Sequence, residues 1–173
     1  MAALCKAFNL HRWIDEHRDL LTPTSGATTV WKDSQFLIMI IGGPHALRSF
    51  HINPSDEFYY QLQGDMALDY IDPTGKRQTE NIREGDILLM PANTPHSPRR
   101  IANTVGLVVE RVRNSDEKES CLWYCESCET MLYEVVRSKD DPVFSLSKIS
   151  KTFNANQSLR TCRQCGHVHG TRA

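Results

Sequence analysis

His51-Ile52-Asn53-Pro54-Ser55-Asp56-Glu57 runs directly into Phe58-Tyr59-Tyr60-Gln61-Leu62-Gln63-Gly64. An aromatic, strand-like run closed by glycine predicts a β-strand ending in a turn. The histidine, with a carboxylate six positions on, predicts two ligands at the mouth of a β-barrel. A third candidate, His96, sits in Pro91-Ala92-Asn93-Thr94-Pro95-His96-Ser97-Pro98, just after the apolar run Ile87-Leu88-Leu89-Met90. Two imidazoles and one carboxylate on a rigid β scaffold make a facial set that leaves half of an octahedral metal open.

The pattern around this stretch is β from Thr28 to about Glu110. Val30-Trp31, Phe36 to Ile41, Glu57 to Leu62, Met66 to Ile71, Gln78 to Ile82, Ile87 to Met90 and Val105 to Val109 are short apolar or alternating runs. Gly64-Asp65, Asp72 to Lys76 and Glu84-Gly85-Asp86 separate them as turns. Short strands without helical crossovers predict an antiparallel sandwich or jelly roll. Before it, Asn9 is placed to cap a helix over residues 10–21, with Leu10, Trp13, Ile14, His17 and Leu21 on one face. His11 and His17 read as surface or flank residues of that helix, which Pro23 ends. After the barrel, residues 113–120 are polar and charged, a predicted linker. The tail shows a strand over Met131 to Val136 and helical spacing at Leu146, Ile149 and Phe153. The expected division is therefore a barrel with its N-terminal helix over 1–112, a linker over 113–120 and a cysteine module over 121–173.

Composition narrows the function classes. A net charge of −1 over 173 residues argues against a nucleic-acid surface, which needs concentrated Lys and Arg. No apolar run approaches the roughly 20 residues of a spanning helix, and no signal-peptide core opens the chain. The expectation is a cytoplasmic protein. Four of the six cysteines form two pairs, Cys125-x-x-Cys128 and Cys162-x-x-Cys165. In a reducing compartment such knuckles predict a tetrahedral metal, Zn²⁺ or a rubredoxin-like iron, rather than disulfides. Cys5 and Cys121 read as free thiols, Trp123 and Tyr124 as packing beside the knuckle, and His167 and His169 as tail surface.

These residues resemble the cupin superfamily. Glu57 stands six residues before Gly64, as in its first motif, and Gly85 to Pro91 followed by His96 matches its second. Asn53 takes the place of the second histidine of the cupin HxH, leaving three ligands instead of four. Nearly the whole chain further resembles the bacterial 3-hydroxyanthranilate dioxygenase family. The similarity is carried by Phe8-Asn9, Arg12 to His17, Ile41 to Pro44, Glu57 to Leu62, Glu84 to Ile87, Pro95 to Pro98, Asn103 to Arg111 and both cysteine pairs. The resemblance implies an all-β cupin jelly roll with an N-terminal helix and a C-terminal, rubredoxin-like module of four cysteines. It implies that His51, Glu57 and His96 hold a catalytic Fe(II), and that Cys125, Cys128, Cys162 and Cys165 hold a second, structural Fe or Zn. It also implies a small aromatic substrate, O₂ and a homodimer. Glu110 falls at the family glutamate that meets the substrate's amine and hydroxyl. Its structural alternative is an ion pair with Arg111.

The family clamps its substrate carboxylate with two arginines, for which a guanidinium fork is well suited. Arg100 aligns with one of them, with Arg99 beside it. The other falls on Leu47, and Arg48 is displaced by one residue, a shift that turns a strand side chain to the opposite face. The family aspartate falls on Ser49, and the loop asparagine on Ala27. The expectation is retained iron chemistry with altered recognition: ring opening of a 3-hydroxyanthranilate-like ortho-aminophenol, or of an aminohydroxybenzoate isomer or 2-aminophenol. The alternative from another class is a non-catalytic cupin that binds an aromatic ligand.

Overall fold

The computed structural model describes residues 6–22, 27–31, 34–46, 49–138 and 146–171. Leu47, Arg48 and Cys5 lie outside them. Helix α1 (Leu10–Glu16) starts where expected, with the Asn9 side chain accepting from the Arg12 N–H at 2.9 Å. It ends five residues short of Leu21. His17 donates its ring Nδ1–H to the Trp13 carbonyl at 2.8 Å and stacks on the indole. The His17 amide donates to the Ile14 carbonyl instead of the Trp13 one, and a 3₁₀ turn (Arg18–Leu20) follows.

Among the described residues twelve strands follow: β1 (Ala27–Thr29), β2 (Phe36–Gly42), β3 (His45–Ala46), β4 (Phe50–Ile52), β5 (Glu57–Gln63), β6 (Met66–Ile71), β7 (Arg77–Ile82), β8 (Ile87–Met90), β9 (His96–Arg100), β10 (Val105–Arg111), β11 (Lys118–Tyr124) and β12 (Met131–Ser138). Their pairings are antiparallel, in two sheets ordered β1-β2-β10-β5-β8 and β12-β11-β4-β9-β6-β7, with β3 also on β9. This is the expected jelly roll. Tyr59, Met66, Leu68, Ile82, Met90 and Val108 fill the space between the sheets. Ile14 and Leu21 seal the outside of the first sheet against Ile40, Leu62 and Val105.

Several elements differ from the sequence expectation. The first strand covers Ala27–Thr29, while Val30 and Trp31 bend away and the indole meets Phe8 at 5.2 Å. β4 and β9 had no apolar run to announce them. β4 has three residues, and β9 carries Pro98 and two arginines. The charged segment 113–120 gives its last three residues to β11, where Ser120 pairs with Ile52 and Cys121 with His51. The second sheet therefore runs without a break from the barrel into the tail. Helices α2 (Leu146–Ala155) and α3 (Gln157–Arg160) pack on that extension. Among the described residues no helix is long and apolar enough to cross a membrane.

Phe153 is the centre of the tail's core. It is fully buried and stacked on Trp123 at 4.6 Å, with Tyr133 at 6.0 Å and the edge of His169 at 5.3 Å. His169, expected on the surface, is 3% exposed, because Gly170 turns back to donate its N–H to the Glu126 carboxylate. Phe153→Ala is expected to cost about 3–5 kcal/mol by cavity formation, measured by urea unfolding.

Candidate metal centre and pocket

Two cross-strand pairs, one from each sheet, build the site. In the second sheet His51 of β4 stands directly opposite His96 of β9, with ring centroids 4.0 Å apart. In the first, Glu57 of β5 stands opposite Glu110 of β10. Side chains of a directly opposed pair share a face, so both pairs project into the sandwich. Glu57 Oε1 lies 3.1 Å from His96 Nε2 and 3.7 Å from His51 Nε2. The ligand atoms of all three residues lie within 4.8 Å of one another.

The donor set fits a divalent metal. A carbonyl oxygen can only accept, so His96 Nδ1, 2.9 Å from the Thr94 carbonyl, carries the proton and leaves the Nε2 lone pair facing Glu57. Tyr59 donates its hydroxyl proton to Glu57 Oε2 at 2.8 Å and lies 3.2 Å from that same Nε2. With neutral His96 no proton remains between oxygen and nitrogen, and a cation would relieve the facing lone pairs. Burial, then the neighbouring His96, holds the His51 pKa below its usual value, which favours the neutral, ligating ring. Burial works to raise the Glu57 pKa, but the facing His51 and His96 rings, which would donate to it once protonated, bring it well below the carboxylate range.

Glu110 behaves differently. It is 8% exposed, and burial followed by the Glu57 charge raises its pKa to about 7. It makes no pair with Arg111, which faces the other way and forks onto Glu117 at 2.6 and 2.8 Å. Asn53 bridges the two carboxylates, donating to Glu57 Oε1 and to Glu110 Oε2. The sequence marked Asn53 only as a missing ligand and overlooked Tyr59. Strand alternation could have found the tyrosine, since residues 57, 59 and 61 share one face.

The expected arginines separate. Arg100 is 3% exposed on the ligand face of β9, four residues past His96. Its Nη1 donates to Gln61 Oε1 at 2.8 Å, its Nε has no partner, and burial lowers its pKa to about 10. Gly106 makes room for it, since a side chain there would collide with the guanidinium. Arg99 is not brought to the His/Glu cluster. Strand alternation turns it to the outer surface, where it pairs with Asp69 at 2.7 Å. Arg48 lies outside the described residues. Ser49 is buried beside Cys121, and Ala27 is exposed on an edge strand.

The two cysteine pairs converge as a second cluster. Cys125 Sγ lies 3.6 Å from Cys165 Sγ, and Cys128 Sγ lies 3.5 Å from Cys162 Sγ. A tetrahedron with metal–sulfur bonds of about 2.3 Å has edges of about 3.8 Å, so four thiolates at this spacing fit a Zn²⁺ or iron ion. Trp123 and Tyr124 pack nearby as expected, the first on Phe153 and the second on Phe50. A groove of about 650 Å³ lies between the Asp72–Gly75 turn and β8, lined by residues such as Tyr70, Pro73, Leu88 and Pro95, but by no ligand of either cluster.

Known proteins resemble this chain in fold or in sequence. Two solved hydroquinone 1,2-dioxygenases share the fold alone. One, PnpCD in complex with Fe3+, aligns at TM-score 0.51 with 20% identity over 65% of this chain and 34% of that one. The other, from Sphingomonas sp. TTNP3, aligns at 0.50 with 24% identity over 63% and 33%. Sequence relatives extend much further. A 3-hydroxyanthranilate 3,4-dioxygenase of Bacillus cereus is 42% identical over 97% of this chain and 94% of its own length. Its namesake from Paraburkholderia phytofirmans is 40% identical over 97% of both. The family model described as 3-hydroxyanthranilic acid dioxygenase matches residues 2–154, which include every ligand of the His/Glu cluster. With that match over most of its length, and relatives of this identity over nearly all of it, the chain belongs to the 3-hydroxyanthranilic acid dioxygenase family.

Proposed function

We propose that the protein is a non-haem Fe(II) ring-cleaving dioxygenase that uses O₂ to open a 3-hydroxyanthranilate-like ortho-aminophenol. The observation that carries this reading is the convergence of His51, Glu57 and His96 opposite Glu110, inside the barrel beside its apolar core. Iron bound by those three side chains would supply the electronic coupling between ring and O₂ that ordinary side chains cannot. The chain's own groups supply position and proton handling. Glu110, with a pKa near 7, is poised to take a proton from the substrate's hydroxyl or amine and to return it later. Arg100 is a buried cation with no carboxylate partner among the described residues, suited to an acidic substituent. The second metal, Fe or Zn at the four cysteines, ties the tail together.

Leu47, Ser49 and Ala27 stand where the family pattern places an arginine, an aspartate and an asparagine. They favour a second reading, with the same chemistry on an aminohydroxybenzoate isomer or on 2-aminophenol. We also assign a homodimer, supported by the apolar outer face of the first sheet, where Phe36, Phe58, Ile87 and Leu89 are exposed. A cytoplasmic location is part of the same proposal.

Oxygen uptake by the iron-supplied protein is expected with at least one of 3-hydroxyanthranilate, an aminohydroxybenzoate isomer and 2-aminophenol. Silence with all three would overturn the enzyme reading. Ordinary turnover of 3-hydroxyanthranilate would dispose of altered recognition. Metal analysis should show two independent populations: His51→Ala loses the first alone, Cys125→Ser the second alone. A non-catalytic cupin would show only the second.

Glu110 also predicts a pH dependence in the metal-free protein. Its folded pKa is raised, from 4.5 to about 7, so the folded state keeps a proton that the unfolded chain has released. Stability should therefore fall as pH rises from about 4.5 to about 7, by at most about 3 kcal/mol. Glu110→Gln should flatten that fall and be the more stable form at pH 8, as measured by urea unfolding.

A further inference from the structure

Glu57 and Glu110 are directly opposed acidic side chains on neighbouring strands, both buried, an arrangement that sheets ordinarily avoid. What lies between them is one amide. Asn53 sends one N–H to Glu57 Oε1, the oxygen that faces both imidazoles, and the other to Glu110 Oε2 at 2.6 Å. Tyr59 occupies the remaining Glu57 oxygen. The backbone of Asn53 is pinned as well, its carbonyl accepting from the Asn93 N–H at 2.8 Å. Carboxylate oxygens accept, so the amide must turn its NH₂ inward and its oxygen away. An amide nitrogen in that orientation has no lone pair for a metal.

We propose that Asn53 is a positioning residue: it joins the metal-ligand carboxylate and the pocket carboxylate into one hydrogen-bonded unit and withholds a fourth protein ligand. The inference rests on the proposed ring-cleaving function and deepens it. An octahedral ion held by three protein ligands keeps three positions, enough for an aromatic chelator with two donor atoms together with O₂. A fourth ligand leaves two, and the chelator alone would fill them. Asn53 also fixes the direction of Glu110 relative to the metal side of the pocket.

The test uses Asn53→His, Asn53→Ala and Asn53→Ser, the last able to reach only one carboxylate. Asn53→His should hold Fe(II) or Co(II) against a competing chelator at least as tightly as the unaltered protein, while oxygen uptake with aminophenols falls at least a hundredfold. Turnover within threefold of the unaltered protein, with metal bound, would overturn the proposal. An independent arm uses metal-free protein and no activity. Asn53→Ala, or Asn53→Ser should the alanine form not fold, should lower the urea midpoint. The same change made in Glu110→Gln should lower it by less than half as much, because one of the two carboxyl groups that the amide bridges is gone. Equal shifts in both backgrounds would overturn the link. If the unaltered iron-loaded protein consumes no O₂ with any aminophenol, the functional reading fails, and chelator competition and unfolding still judge Asn53.

Discussion

The barrel closes over two carboxylates that face each other across β5 and β10 and two imidazoles that face each other across β4 and β9. Burying one charge without a partner is costly, and burying two of the same sign side by side more so. The chain meets that cost locally. Asn53 donates to both carboxylates, Tyr59 donates to one, and Thr94 orients one imidazole. What remains is a concentration of lone pairs in an apolar surrounding, which a divalent cation would complete.

The same crowding divides labour between the carboxylates. Glu57 sits among imidazole nitrogens and stays ionised, whereas Glu110 lies one strand away, gains little from them and is raised towards neutrality. Under the proposed function one residue type takes two roles by environment, the first as ligand and the second as a group that exchanges protons near physiological pH. Glu110 owes this to strand alternation, which sends neighbouring Arg111 outward to Glu117 and leaves the carboxylate unpaired by any cation of its own strand.

The tail is built into the barrel sheet. β11 pairs with β4 across Cys121 and His51, and four residues further on the chain reaches Cys125, the first thiol of the second cluster. One strand therefore runs from beside His51 to the cysteine knuckle, with Trp123 packed on Phe153 between them. Disturbing the knuckle would be felt along a hydrogen-bonded ladder that includes His51.

Much of this was legible in residue order. Alternation and turn residues announced β2, β5, β6, β7, β8, β10 and β12. The spacing of His51, Glu57 and His96, like that of the cysteine pairs, announced both clusters, because ligands of a metal must come from chemically distinctive residues. β3, β4, β9 and β11 were not announced, since His45–Ala46 and Phe50–Ile52 are too short for a period and Pro98, Arg99 and Arg100 carry no strand preference. Their pairing is set by long-range partners. Tertiary structure alone decided that Arg99 turns outward while Arg100 turns inward, that His169 is buried, and that Asn53 joins Glu57 to Glu110. Residue type and spacing state which groups can do chemistry. Which of them meet depends on strand register, a property of pairs of segments distant in the chain, which no single segment contains.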